Sequence, residues 1–150
     1  MPQVFLVSSC LVGRKCAYDG ESRHCPAVIG FLNDRRYVEV CPEIEGGFSS
    51  PRETHEIVGG TGDDVLDGKA RVVSVSGRDR TRDFLLGAER ALEIAKENNA
   101  SSAVMKSKSP SCGKCRIYDG SFKGVLRDGH GVTTALLARN GLEVLTEKEI

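Results

Sequence analysis

Short apolar runs that are typical of buried strands alternate along this chain with segments of helical periodicity. Four such runs are VFLV at 4–7, YVEV at 37–40, SAVM at 102–105 and LEVL at 142–145. Between the runs, Pro26 is placed to begin a helix, and apolar side chains recur at helical spacing over 84–95. Strands that alternate with helices call for a parallel sheet covered on both faces. The pattern predicts an α/β class of fold, Rossmann-like and three-layered, with a mostly parallel sheet.

The length of the chain favours a single domain. Its 150 residues suffice for one hydrophobic core and stop short of the length at which cores usually divide. No linker or low-complexity stretch interrupts the sequence, so we expect one domain over 1–150. The opening MPQVFLVSSC lacks the basic and long apolar regions of a signal peptide, and no run approaches the roughly 18 apolar residues of a membrane span. We therefore expect a cytoplasmic protein with no membrane association.

The charge balance argues against a polyanionic partner. Lys and Arg together number 21, and so do Asp and Glu. A chain without net charge has no overall field to draw it to nucleic acid or to a membrane surface. The composition thus indicates no clear nucleic-acid surface, and it leaves the oligomeric state open.

Six cysteines are unusual in a chain that is expected to stay in a reducing compartment. Such a compartment disfavours a disulfide framework and leaves metal binding or catalysis as the main uses of the thiols. Cys10, Cys41 and Cys112 each come after a predicted strand. Parallel strands end at a common edge, and ligands bind in the crevice beyond that edge. We expect these three thiols to meet there.

Ligation by sulfur alone suits zinc or an iron–sulfur cluster better than magnesium or calcium. Structural zinc takes four ligands in short pairs, and the chain has one CxxC, Cys112 to Cys115, which disfavours a zinc ribbon. A cubane held by three cysteines would leave one iron open to a substrate atom.

Cys16 is a candidate fourth ligand or a nearby resolving thiol. Cys115 is either a ligand or half of a redox pair, and Cys25 is expected to pack.

Four stretches of the chain match, in order, the motifs of one family. They are SSCLVGRKCAYDG, CPEIEGG followed by SPRE, VLDGKARVV and VMKSKSPSCGKCRIYDGSF. Together they resemble the TudS-type thiouracil desulfurase family over nearly the whole chain. The resemblance implies an enzyme with an oxygen-sensitive [4Fe-4S] cluster on three cysteines. The unligated iron would accept the sulfur of a thiolated pyrimidine in a hydrolytic, non-redox desulfuration, which converts 2-thiouracil to uracil and sulfide.

The resemblance also assigns roles to individual residues. Its implied cluster ligands are Cys10 from SSC, Cys41 from CPE and Cys112 from SPSC. The acidic residue of the family falls on Glu43 and its serine on Ser109. Ser107 is a further candidate for orienting the carbonyl and N–H groups of the ring. Because Glu45 stands where an apolar residue is common in the family, either Glu43 or Glu45 remains a candidate acid or base.

A different class of function is compatible with the same thiols. In this alternative the protein is a metal or redox sensing module, in which Cys112 and Cys115 switch between dithiol and disulfide. No catalysis is involved, and the carboxylates do no chemistry.

The histidines show no metal-binding spacing. His24, His55 and His130 form neither HxxxH nor HExxH. Each is predicted to lie at the surface or to cap an element.

Overall fold

Eight strands and five α-helices follow one another in the computed structural model, which describes residues 3–150. The strands are β1 (Val4–Ser8), β2 (Arg36–Val40), β3 (His55–Val58), β4 (Arg71–Ser74), β5 (Ala100–Met105), β6 (Arg116–Tyr118), β7 (Leu126–Asp128) and β8 (Glu143–Thr146). The helices are α1 (Pro26–Leu32), α2 (Pro42–Glu45), α3 (Gly62–Leu66), α4 (Thr81–Glu97) and α5 (Val132–Arg139), and a 3₁₀ helix (Ser9–Val12) follows β1. Within this range, no helix is both long enough and apolar enough to cross a membrane.

The central sheet has four strands in the order β2, β1, β5, β8, and every neighbouring pair is parallel. Both faces of β1 are buried, as successive side chains on a strand point to opposite faces. Leu6 packs in the core beside Ala91 of α4, whereas Val7 packs in a second core beside Val28 of α1. Helices cover both faces, which confirms the predicted three-layer α/β fold with its mostly parallel sheet.

Residues 64–76, which follow β3, agree with the sequence prediction only in part. An Asp-Gly turn before alternating valines predicts a hairpin or an edge strand over 64–76. Instead, Thr61 and Asp64 form a capping box that starts α3, and this places a short helix before the turn. The valines that follow lie in β4, which pairs antiparallel with β3 outside the central sheet. β6 and β7 form a second antiparallel pair in a region where the sequence shows only turn signals.

Helix α2 contacts α4 backbone to backbone at two glycines. A Cβ atom on Gly87 of α4 would collide with the carbonyl oxygen of Pro42, and one on Gly46 would collide with the carbonyl oxygen of Asp83. A residue with a side chain cannot make so close an approach. α2 begins directly after Cys41, so this contact fixes the position of Cys41 at the end of β2.

Replacing Gly87 with Ala is expected to destabilise the fold. The added methyl group meets backbone that cannot move aside, and overpacking of this kind typically costs about 1–3 kcal/mol. That cost exceeds the gain in helix propensity of about 1 kcal/mol. The matched control is Gly30→Ala in α1, where a Cβ meets nothing within 4 Å. Denaturant unfolding should show a lower midpoint for Gly87→Ala alone, and equal midpoints for the two variants would contradict the argument.

Candidate active site

A cavity of about 520 Å³ lies beyond the carboxyl ends of β1, β2 and β5. Parallel sheets bind their ligands at this edge. The residues in its wall include the thiols and polar side chains that the sequence singles out. They are Cys10, Cys16, Cys41, Cys112, Glu43, Ser107 and Ser109.

Three of the thiols reach the cavity from three neighbouring strands. Cys10 lies in the 3₁₀ helix after β1, and Cys41 is the residue before α2. Cys112 lies in the loop that follows β5. Because β1 pairs with both β2 and β5, residues far apart in sequence come together at one edge. Cys41 and Cys112 are buried, and Cys10 is half-buried.

Cys16 joins this group from the loop after the 3₁₀ helix. Cys16 is buried, and the Sγ of Cys41 lies 3.8 Å from its carbonyl oxygen. The Cys10 thiol and then burial, opposed by the Cys41 thiol, raise the pKa of Cys16 to about 11. Burial raises the pKa of Cys112 to about 11 as well, against hydrogen bonds from Ser8 and Ser111. A metal or cluster would have to displace these protons in order to bind.

The donor set fits an iron–sulfur cluster. Among residues 3–150, no three His, Cys, Asp or Glu side chains are arranged to hold a single metal ion. A cubane binds each of its cysteines through a different iron, so its ligands line a wall instead of surrounding a point. The buried hydroxyl of Ser9 has no hydrogen-bond partner within the described chain, and Ser9 lines the same cavity beside Cys10. Cluster sulfides and thiolates accept hydrogen bonds from such donors.

Glu43 is held at the cavity by Arg52, a residue to which the sequence analysis assigns no role. The Nε of Arg52 donates to one carboxylate oxygen at 3.1 Å, and the Oγ of Ser111 donates to the other at 3.2 Å. The side chains of Arg52 and Glu43 are only 6% and 14% exposed. Arg52 also donates to the carbonyl oxygen of Cys16 at 2.9 Å. One guanidinium therefore ties the acidic residue to the loop that carries a thiol.

Glu45 points elsewhere. Its carboxylate lies 4.0 Å from the guanidinium of Arg90 on α4, and its side chain is 38% exposed. Of the two candidate carboxylates, Glu43 is the one that lines the cavity.

Both candidate serines take part in hydrogen bonds that shape their loop. The Oγ of Ser109 accepts the backbone N–H of Cys112 at 2.7 Å, which closes the turn that presents this thiol. Ser107 donates its N–H and its hydroxyl to the two oxygens of Glu147, at 2.8 and 2.9 Å. Glu147 also pairs with Lys106 at 3.2 Å. Both serines remain in the cavity wall, so each can contact a ligand while it supports the loop.

The remaining thiols and histidines are placed in different surroundings. Cys25 precedes α1 and packs against the core on that face of the sheet, as expected. Cys115 is exposed, whereas Cys112 is buried. His130 accepts the backbone N–H of Cys115 and so caps a turn. The expectation of a surface or capping position is wrong for His55, which is 6% exposed because Phe48 and Phe84 cover its ring.

Replacing Arg52 with Met is expected to destabilise the protein by about 3 kcal/mol, because it leaves Glu43 nearly buried without its cation. The matched control is Arg90→Met, since the side chain of Arg90 is 39% exposed and pairs with three glutamates at the surface, Glu45, Glu93 and Glu97. An exposed pair of this kind contributes less than about 1 kcal/mol. Denaturant unfolding of the two variants gives the comparison. An equally small loss in both would show that the contact between Arg52 and Glu43 contributes little to stability.

The fold and the cavity define a class of protein: a Rossmann-like α/β domain with a thiol-lined ligand site at the carboxyl edge of its parallel sheet. The family model described as 2-thiouracil desulfurase matches residues 5–149. The chain belongs to the 2-thiouracil desulfurase family, which confirms the resemblance seen in the motifs.

Two similar proteins extend over almost the entire chain. One is the uncharacterized protein YbbK of Bacillus subtilis (strain 168), which is 46% identical over 147 residues, or 98% of this chain and 97% of YbbK. The other is a solved structure of the [4Fe-4S]-dependent thiouracil desulfidase TudS. It superposes with a TM-score of 0.85 at 37% identity, over 99% of this chain and 93% of that one.

Proposed function

We propose that this chain is a [4Fe-4S]-dependent thiouracil desulfurase, acting in the cytoplasm as one iron–sulfur domain over residues 1–150. It hydrolyses a small thiolated pyrimidine such as 2-thiouracil: water replaces the sulfur, uracil forms, and hydrogen sulfide leaves without net oxidation or reduction. The family and the likeness to TudS support this activity. The observation that carries it is the presence of Cys10, Cys41 and Cys112 in the wall of one cavity together with Glu43.

In this proposal the thiolates of Cys10, Cys41 and Cys112 would hold the cluster. When bound, the cluster would supply a Lewis acid for the sulfur of the substrate. Cys16 is a candidate fourth ligand because it lies in the wall of the same cavity. The buried Ser9 hydroxyl would be a hydrogen-bond donor to the bound cluster.

Glu43 is the proposed acid and base. Its carboxylate accepts a proton from the water that attacks the C–S carbon and returns it to the departing sulfide. Arg52 and Ser111 hold one oxygen each, which fixes the carboxylate against the cavity wall. Ser107 and Ser109 orient the carbonyl and N–H groups of the ring from the opposite loop. Together these contacts hold the base, the water and the carbon in one geometry.

Anaerobic reconstitution followed by a sulfide assay over a panel of thiolated bases tests the proposal. The reconstituted protein should be brown, with broad absorption at about 400 nm, and should release sulfide and uracil from 2-thiouracil in equal amounts. Protein without iron is the control and should release none. Brown protein that turns over no base in the panel would contradict the enzyme and favour the sensing module.

A further inference from the structure

His55 is a buried histidine without a hydrogen-bond partner at the wall of the active-site cavity. Its ring packs against Phe48 and Phe84, with centroids 4.9 and 5.3 Å away. The residue is 6% exposed and lines the same cavity as Glu43. Among residues 3–150, neither of its ring nitrogens has a partner.

An imidazole in these surroundings lowers stability. A buried polar group that lacks a hydrogen bond loses its hydration without compensation. Two phenylalanine rings and the neighbouring Ile57 form an apolar environment in which a third apolar side chain would pack at no such cost. Buried polar groups almost always form hydrogen bonds. An unpaired polar group beside a ligand cavity therefore indicates that its hydrogen-bond partner is part of the ligand.

The charge state of His55 suits a neutral heterocycle. Burial, reinforced by Arg80 and Arg52 and opposed by Glu43, lowers the pKa of His55. A neutral imidazole carries one N–H donor and one bare nitrogen acceptor. The polar edge of a pyrimidine offers the complementary groups, a carbonyl oxygen and ring N–H donors.

We propose that His55 is a substrate-binding residue, which forms a hydrogen bond from one ring nitrogen to the polar edge of the thiolated pyrimidine. Both ring nitrogens are fully covered in the structure, so the hydrogen bond requires the imidazole to turn from Phe48 and Phe84 toward the cavity. This inference rests on the proposed function, because it assigns a contact within the same site.

The test uses the reconstituted holoenzyme with His55→Phe, a ring of similar shape that cannot form hydrogen bonds. Iron content and the visible spectrum should match the wild type, and the thermal midpoint should be equal or higher. The KM for 2-thiouracil and the Kd for uracil should both rise about tenfold, with kcat much less affected. His55→Gln keeps a donor and an acceptor and should recover part of the loss. His24→Gln, at an exposed position, is the control and should change neither constant.

A substrate analogue identifies which ring nitrogen acts. 3-Methyl-2-thiouracil keeps the oxygen at position 4 but lacks the N3–H, so it loses nothing from His55→Phe if the bare nitrogen accepts that N–H. The loss persists if the imidazole donates to the oxygen instead.

The outcomes separate this inference from the proposed function. Wild-type KM and Kd in His55→Phe, with full turnover, would show that His55 only fills space, and the desulfurase activity would stand. Failure of the wild-type holoenzyme to release sulfide or bind uracil would overturn both. Should His55→Phe lose its iron, His55→Leu takes its place as the variant without hydrogen bonds. Wild-type KM and Kd in His55→Leu with an intact cluster would contradict the contact.

Discussion

Replacing Cys41 with Ser is expected to give a folded protein that holds no cluster. Serine is almost the same size as cysteine, and the residue keeps its place before α2. Its oxygen is a poor substitute for a thiolate, the ligand on which these clusters depend. After anaerobic reconstitution, iron should fall from about four atoms per chain to nearly none, with loss of the absorption at about 400 nm and of sulfide release. Cys10→Ser and Cys112→Ser should behave in the same way.

The control for this series is Cys25→Ser, which changes a half-buried thiol that packs on the α1 side of the sheet. It should retain full iron. Cys16→Ser distinguishes the two roles left to that residue, since loss of iron marks a ligand and full retention marks a neighbour. If Cys10→Ser, Cys41→Ser and Cys112→Ser all keep the iron content of the wild type, the assignment of ligands is wrong.

The second large effect is expected from Glu43→Gln, which should keep the cluster and lose most of the activity. An amide has nearly the shape of the carboxylate, and its oxygen can still accept the hydrogen bond from Arg52. It cannot take a proton from water at neutral pH. Removal of a general base typically lowers a rate by about 10²- to 10⁴-fold, and the loss should appear in kcat for sulfide release from 2-thiouracil.

Glu45→Gln provides the matched control on the same short helix. Glu45 is half exposed toward Arg90 rather than toward the cavity, so its variant should turn over at a rate within about twofold of the wild type. Iron content should be unchanged in both variants. Full turnover by Glu43→Gln together with loss in Glu45→Gln would reassign the base to Glu45.

The central strands β1 and β5 were predictable because each is buried on both faces and reads as a short apolar run. The edge strands β2 and β8 were predictable because apolar residues flank a glutamate in each, which is the alternation of a half-buried strand. Once these strands are placed side by side, the position of Cys10, Cys41 and Cys112 at one edge follows from topology alone. Glu43 is predicted at the same edge of the sheet because it is two residues beyond Cys41.

Features that depend on contacts between distant segments were missed. Of the two small antiparallel sheets, only β4 was indicated, by its alternating valines; β3, β6 and β7 have three or four residues and show no period. His55 is buried by Phe48 and Phe84, which come from a loop and from α4, and no local pattern indicates that packing. Arg52 stands in the SPRE motif, but its role depends on a loop that folds back onto Glu43.

The order of the strands in the central sheet has a consequence for biogenesis. β5 lies next to β1 in the middle of the sheet, yet it is made after more than half of the chain. A nascent polypeptide that has reached only α2 presents two of the three sulfurs, with nothing to complete the set. We expect iron delivery to wait until translation has passed Cys112 and β5 has inserted beside β1, which places maturation of the cofactor late in synthesis or after it.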